Sequence, residues 1–139
     1  MKKHSIAMAL RGAYLSMHRQ TNAHLSPCNI TADQYVCLIL LEEQDGITQQ
    51  ELVKRANSDP NTIRAILVLL EKRGLITREN HPSDGRARIV HITKKGRNLL
   101  IETEAAIKPV QESLAAPFSV EEARVLISNL KRILEEMTN

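Results

Sequence analysis

The sequence predicts a mainly α-helical chain carrying one small β-hairpin, with further helices at both ends. Three observations lead there. Apolar residues recur at three- and four-residue spacing through most of the 139 positions, and the stretches open on Thr, Ser or Asp. Only the segment between Gly74 and Gly96 departs from that period, with β-branched runs on either side of a polar Pro- and Gly-containing stretch. Directly before it, two short helical patterns are separated by no more than Asn57-Ser58.

Composition narrows the class. Hydrophobic residues at 42% and charged residues at 25% fit one soluble domain with a real core. Aromatics at 2% make that core aliphatic and leave few platforms for stacking single-stranded bases. The longest apolar run, Tyr35 to Leu41, is too short to span a bilayer. The start MKKHSIAMALRGAY has no adequate apolar region before Arg11, so no signal peptide is expected. Cys28 and Cys37 lack metal-ligand spacing and make a poor disulfide framework, which fits a reduced, cytoplasmic setting without metal or cofactor. His4, His18, His24, His81 and His91 are scattered, and no Gly-rich phosphate loop, H-E-x-x-H or G-x-S-x-G is present. An enzyme is not expected. The net charge is +3, yet Lys54 to Lys95 holds 10 basic and 4 acidic residues while both flanks are slightly acidic. That concentration is the footprint of a phosphate-binding module.

In chain order, Ser5 to about His24 reads as a helix with Ile6, Leu10, Ala13, Tyr14 and Met17 on one side, ending near Ser26-Pro27. Thr31 and Gln34 form a capping box for a second helix, whose apolar run from Tyr35 predicts burial almost all round. Thr48 and Glu51 repeat the box for a short third helix, with Leu52, Val53 and Ala56 inward. Asp59 at the N-cap and Pro60 at N1 open the next, where Ile63, Ile66, Leu67 and Leu70 make the inner stripe. Gly74 stops it. Leu75 to Arg78 and Arg86 to Ile92 read as strands flanking the tip Glu79 to Gly85. Thr93 caps a helix to about Ala115, which Pro109 is expected to kink or interrupt. Ser119 and Glu122 box the last helix, striped by Val120, Ala123, Leu126, Ile127, Leu130, Ile133, Leu134 and Met137.

Two tightly joined helices followed by a hairpin make a winged helix-turn-helix, in which the second helix reads duplex DNA. Asn61, Thr62, Arg64, Ala65, Val68 and Lys72 lie on its outer side. Such amide, guanidinium and methyl groups can read adenine, guanine and thymine in a major groove. Thr48 joins this set at the start of the third helix, and Arg86 and Arg88 can reach a narrow, electronegative minor groove from the hairpin. A winged helix serving as a protein-interaction module is the other reading of the same pattern.

The run LEKRGLITRENHPSDGRARIVHITKKG resembles the signature of the MarR family of bacterial transcriptional regulators. Its parts are the L-E-x-x-G-L segment from Leu70, the D-x-R wing of Asp84 and Arg86, and the I-T-x-x-G exit from Ile92. TADQYVCLILLEE and GITQQELVKRANSDPNTIRAIL match too, so the likeness covers roughly residues 25–100. It implies a homodimer on palindromic double-stranded DNA, with Arg86 entering the minor groove and Asp84 orienting it. Gly85 departs from the family where a further arginine is common, and Ala56-Asn57-Ser58 replaces a glycine-containing turn. Three segments are expected: 1–30 for dimerisation, 31–96 for DNA binding and 97–139 for dimerisation. The apolar stripes of the first and last helices have no large partner within the chain, and a second copy would cover them. The resemblance also implies a small anionic or aromatic effector, for which Arg11, Tyr14, His18 and Tyr35 are candidates. Oxidant sensing through Cys28 stands as an alternative, since some relatives sense through a cysteine.

Overall fold

The computed structural model describes residues 4–138, leaving Met1–Lys3 of the basic start, the side chain of His4 and Asn139 outside. Among the described residues there are six α-helices: α1 (His4–Leu25), α2 (Ala32–Glu43), α3 (Gln49–Arg55), α4 (Pro60–Lys72), α5 (Lys94–Ala115) and α6 (Val120–Thr138). Three strands, β1 (Ile47–Thr48), β2 (Ile76–Asn80) and β3 (Arg88–Ile92), form one antiparallel sheet in the order β1-β3-β2. The chain groups into two compact units, Met1–Ile107 and Lys108–Asn139, divided within α5.

Local chemistry sets the helix ends. Thr31 Oγ1 accepts from Gln34 N while Gln34 Oε1 accepts from Thr31 N, both at 3.1 Å, a complete capping box. At Thr48 only half the box forms: the hydroxyl accepts from Glu51 N at 3.1 Å, but the Glu51 carboxylate turns to Arg55 at 3.2 Å. Gly74 leaves α4 at φ +73°, a conformation glycine enters without a Cβ clash. Leu75 N then donates to Leu70 O at 3.0 Å. The turn between α3 and α4 contains no glycine; Asn57 takes the left-handed conformation at φ 51°, which asparagine tolerates better than most residues.

The first unit's core is aliphatic. Leu25, Leu38, Leu41, Leu52, Ile63, Leu67, Leu70, Leu75, Ile76 and Val90 are buried, joining α2, α3 and α4 to the sheet. Helix α2 corrects one expectation. Its apolar run is not buried all round: Cys37, Leu38 and Leu41 are, whereas Val36 is 41% exposed. The run is seven residues of a 3.6-residue period, and only one side faces the core.

Strand pairing also departs from the expected hairpin. Ile47 pairs with Val90 and Thr48 with Ile89, so the entry to α3 is a third strand. Two residues are too short to show an alternating pattern. In the wing, pairing runs from Ile76–Ile92 to Asn80–Arg88, and the tip is His81 to Ala87, closed by His81 N to Ala87 O at 2.9 Å. Arg86 therefore belongs to the tip and not to the strand. A short 3-10 turn, Ser26–Cys28, follows α1.

Helix α5 runs unbroken through Pro109. Ala105 and Pro109 are both exposed, so water can solvate the carbonyl that proline leaves without a donor. In the second unit Ser119 and Glu122 complete their box at 2.9 and 3.1 Å. None of the described residues of α6 is buried, and its stripe of Val120, Ile127, Leu130, Leu134 and Met137 is exposed. No helix among the described residues is long and apolar enough to cross a membrane.

Candidate nucleic-acid interface

Helix α4 starts on Asp59, whose Oδ1 accepts from Thr62 N at 2.9 Å and Oδ2 from Thr62 Oγ1 at 2.7 Å. The backbone bond from Thr62, then the hydroxyl bond, hold the Asp59 carboxyl below its ordinary range. The cap thus orients one residue of the outer side. A second contact orients two more, because Arg64 Nη2 donates to Asn61 Oδ1 at 3.0 Å. Asn61, Thr62, Arg64 and Ala65 are exposed together, while Val68 is half-buried. Lys72 stands apart from them. It lines a cavity of about 500 Å3 with Asn22, Ser26, Gln34 and Arg73, one to three helical turns from the reading residues.

The wing and the start of α3 share a groove of about 420 Å3 lined by Thr48, Gln50, Lys54, Pro60, Arg86 and Arg88. Three cations on two elements meet there, with the first residue of α4 between them. At the tip, Asp84 Oδ1 accepts from the backbone N of Arg86 at 3.0 Å, and the Arg86 Nε lies 3.7 Å away. The Arg86 side chain is 96% exposed. Arg88 is exposed where the paired strands meet the tip, opposite Asn80.

Two anchoring residues escape sequence reasoning. Arg78 of β2 donates to Glu71 of α4 at 3.0 Å and to Gln49 of α3 at 3.2 Å, linking the wing to both helices. The Arg78 side-chain bond keeps the Glu71 carboxyl below its ordinary range. A signal existed: strand alternation puts Arg78 on the same side as buried Ile76, and an inward cation needs a partner. His91 of β3 lies between Asp45 Oδ2 at 3.3 Å and Glu79 Oε1 at 3.0 Å. Nothing in the sequence pairs residues 46 and 12 positions apart.

Of the four effector candidates, two are brought together. Tyr14 and His18 stack with ring centroids 5.6 Å apart. Tyr14 lines a cavity of about 390 Å3 with Asp33, Val36, Cys37, Asp59 and Thr62. Arg11, His18 and Tyr35 are not among its walls. Tyr35 is two residues before Cys37, roughly 200° around α2. Burial, with a smaller contribution from the Glu104 carboxylate, raises its hydroxyl pKa. As for the cysteines, burial and then Asp33 push the Cys37 thiol up to about 12, which makes it unreactive, while Cys28 is half-buried in the 3-10 turn. No cluster of three or more His, Cys, Asp or Glu able to hold a metal occurs among the described residues.

Comparison with known proteins agrees with this geometry. The family model described as "MarR family" matches residues 30–87, from the start of α2 into the wing tip. An HTH-type transcriptional repressor of Mycobacterium tuberculosis is 29% identical over 118 residues, covering 85% of this chain and 82% of the relative. The HTH-type transcriptional regulator YdgJ of Bacillus subtilis is 30% identical over 110 residues, 79% of this chain and 67% of the relative. Among solved structures, the S. aureus MepR–DNA complex superposes with a TM-score of 0.84 at 25% identity, covering 94% of this chain and 96% of that one. The capped α4 and the three-stranded wing tied to it lie largely within the matched region, and the chain belongs to the MarR family of winged-helix transcriptional regulators.

Proposed function

We propose that this regulator is a repressor that binds palindromic double-stranded DNA as a homodimer. The observation that carries the reading is the groove shared by Lys54, Arg86 and Arg88, beside the exposed outer side of α4 and inside the chain's basic block. Phosphates supply most of the affinity for such a surface. Thr48 and Lys54 contact the backbone, α4 enters the major groove, and Arg86 enters the minor groove next to it. A relative solved as a complex with DNA supports DNA binding.

The dimer follows from surfaces that one chain leaves uncovered. Helix α1 exposes Ile6, Met8 and Tyr14, and α6 exposes its apolar stripe. A second copy covers both in this reading, and the two α4 helices then meet half-sites about 34–36 Å apart. The cavity at Tyr14 reaches the Asp59 cap of α4, so a small aromatic effector held there would act on the reading helix directly, while the Asp33 and Asp59 carboxylates disfavour an anionic one.

Binding to duplexes selected from random sequence, measured by fluorescence anisotropy across a range of salt, tests the reading. Expected is a log–log salt slope of several units that falls by about one for each of Lys54→Ala and Arg88→Ala. A protein that shows no salt-dependent duplex binding would be a winged helix of another purpose.

A further inference from the structure

We propose that Asn61 is a positioning residue for Arg64, and that Arg64, held in this way, reads a guanine in each half-site. The inference rests on the DNA-binding reading above. Asn61 and Arg64 are neighbours at i and i+3 on the outer side of α4, and both are exposed. Arg64 Nη2 donates to Asn61 Oδ1 at 3.0 Å. Guanidinium has no acceptor, so the atom of Asn61 facing it must be the oxygen; chemistry decides the orientation of the amide.

That bond disfavours one role and creates another. An asparagine that reads adenine accepts from N6 with its oxygen while donating to N7 with its nitrogen. With one lone pair of Oδ1 given to Arg64, the amide plane is set by the guanidinium, and the adenine geometry has to compete with that bond. Arg64 keeps four of its five N–H groups, and their fork matches O6 and N7 of guanine. A free arginine on a helix surface loses much rotamer freedom when it docks. One already tied to its own helix loses less, so the bond shifts entropy cost from binding to folding. The neighbouring Thr62 cannot take over discrimination by donation, because its hydroxyl proton goes to Asp59 Oδ2 at 2.7 Å.

The test is selection from random duplex DNA with the full chain and with Arg64→Ala, Asn61→Ala and Asn61→Asp, each checked by thermal melting. The wild-type protein should enrich guanine at one position per half-site, and Arg64→Ala should lose it. Asn61→Ala should keep guanine as the preferred base while its discrimination falls about 3- to 10-fold, the worth of one net hydrogen bond. Asn61→Asp should restore discrimination, since a carboxylate still accepts from Arg64, although total affinity drops with the added negative charge. Loss of an adenine position in Asn61→Ala, with guanine discrimination unchanged, overturns the inference and makes Asn61 a reader. Enrichment of no duplex by the wild-type protein instead overturns the DNA-binding reading beneath it.

Discussion

Asp84 Oδ1 is 3.0 Å from the backbone nitrogen of Arg86 but 3.7 Å from its Nε. The first distance is a hydrogen bond and the second is an ion pair without one. Asp84 therefore shapes the wing tip chiefly through the backbone, in the manner of an Asx turn. The tip is also held by Ala87 N donating to Asp84 O at 3.1 Å and by Ser83 N donating to His81 Nδ1 at 3.0 Å.

Replacing Asp84 by Ala should weaken duplex binding several-fold, even though a negative charge leaves the DNA-facing surface. Asp84→Asn keeps the acceptor and removes the charge, so it should bind at least as tightly as the wild type. Titrations at one fixed salt concentration decide. Equal weakening in both variants would show that the carboxylate acts on the guanidinium by charge.

Arg78 presents a second case, because its guanidinium side chain is 12% exposed and relies on Glu71 and Gln49. Its Nε is buried without a partner among the described residues, so it has no reserve. Glu71→Ala should cost about 1.5–3 kcal/mol by leaving a cation unpaired, towards the lower figure because Glu71 itself is partly solvated. Urea unfolding at neutral pH measures it. A cost within experimental error would mean that water replaces the carboxylate.

His91 makes stability depend on pH. The Glu79 bond is the largest cause that raises its pKa, burial opposes it, and Asp45 adds to the rise. The charged groups around it are Glu79 from β2 and Asp45 from the α2–β1 turn, with Arg97 of α5 and Glu42 of α2 behind Asp45. The folded state thus binds the proton more tightly than the unfolded chain does. Its contribution is complete below the unfolded value of about 6.5 and is lost as pH rises through the higher folded value. Melting temperatures from pH 5.5 to 8.5 should fall for the wild type relative to His91→Gln. Parallel curves would remove His91 as the cause.

Gly96 is the fourth test. A Cβ there would collide with the backbone oxygen of Leu75 and approach Ile92 Cγ1 to 2.8 Å. Backbone cannot swing aside like a long side chain. Gly96→Ala should destabilise by about 1–2 kcal/mol, an overpacking cost of about 1–3 kcal/mol reduced by alanine's better helix propensity. A more stable variant in urea would show that the strand–helix junction has room to give.

What sequence reasoning reached, and what it missed, divides by distance along the chain. Caps at Thr31, Asp59 and Ser119 are decided within three residues, and each forms as its pattern indicates. Gly74 and the stripe through Ile63, Leu67 and Leu70 are equally local. The half-formed box at Thr48 shows the limit, since Arg55 competes for Glu51 one turn further on. Long-range contacts were not legible: Arg78 meets Gln49 across 29 residues and His91 meets Asp45 across 46. The outer side of α4 follows from helix periodicity and the helix-turn-helix pattern, whereas the pairing of Asp84 with a minor-groove Arg86 comes from the resemblance.

The two-residue strand β1 has a consequence for the order in which the molecule is made. Ile47 and Thr48 find their partners at Val90 and Ile89, more than forty residues later. A ribosome releases the chain from its N-terminus, so α3 and α4 emerge before the strand that completes their sheet. During that interval Ile47 and Ile76 have no β3 to cover them, and their unpaired edges can pair with any nearby strand. Synthesis past Ile92 closes this window. Slow translation between Asn80 and Ile92 would prolong it, and the burden on chaperones should rise there before any helix of the second unit exists.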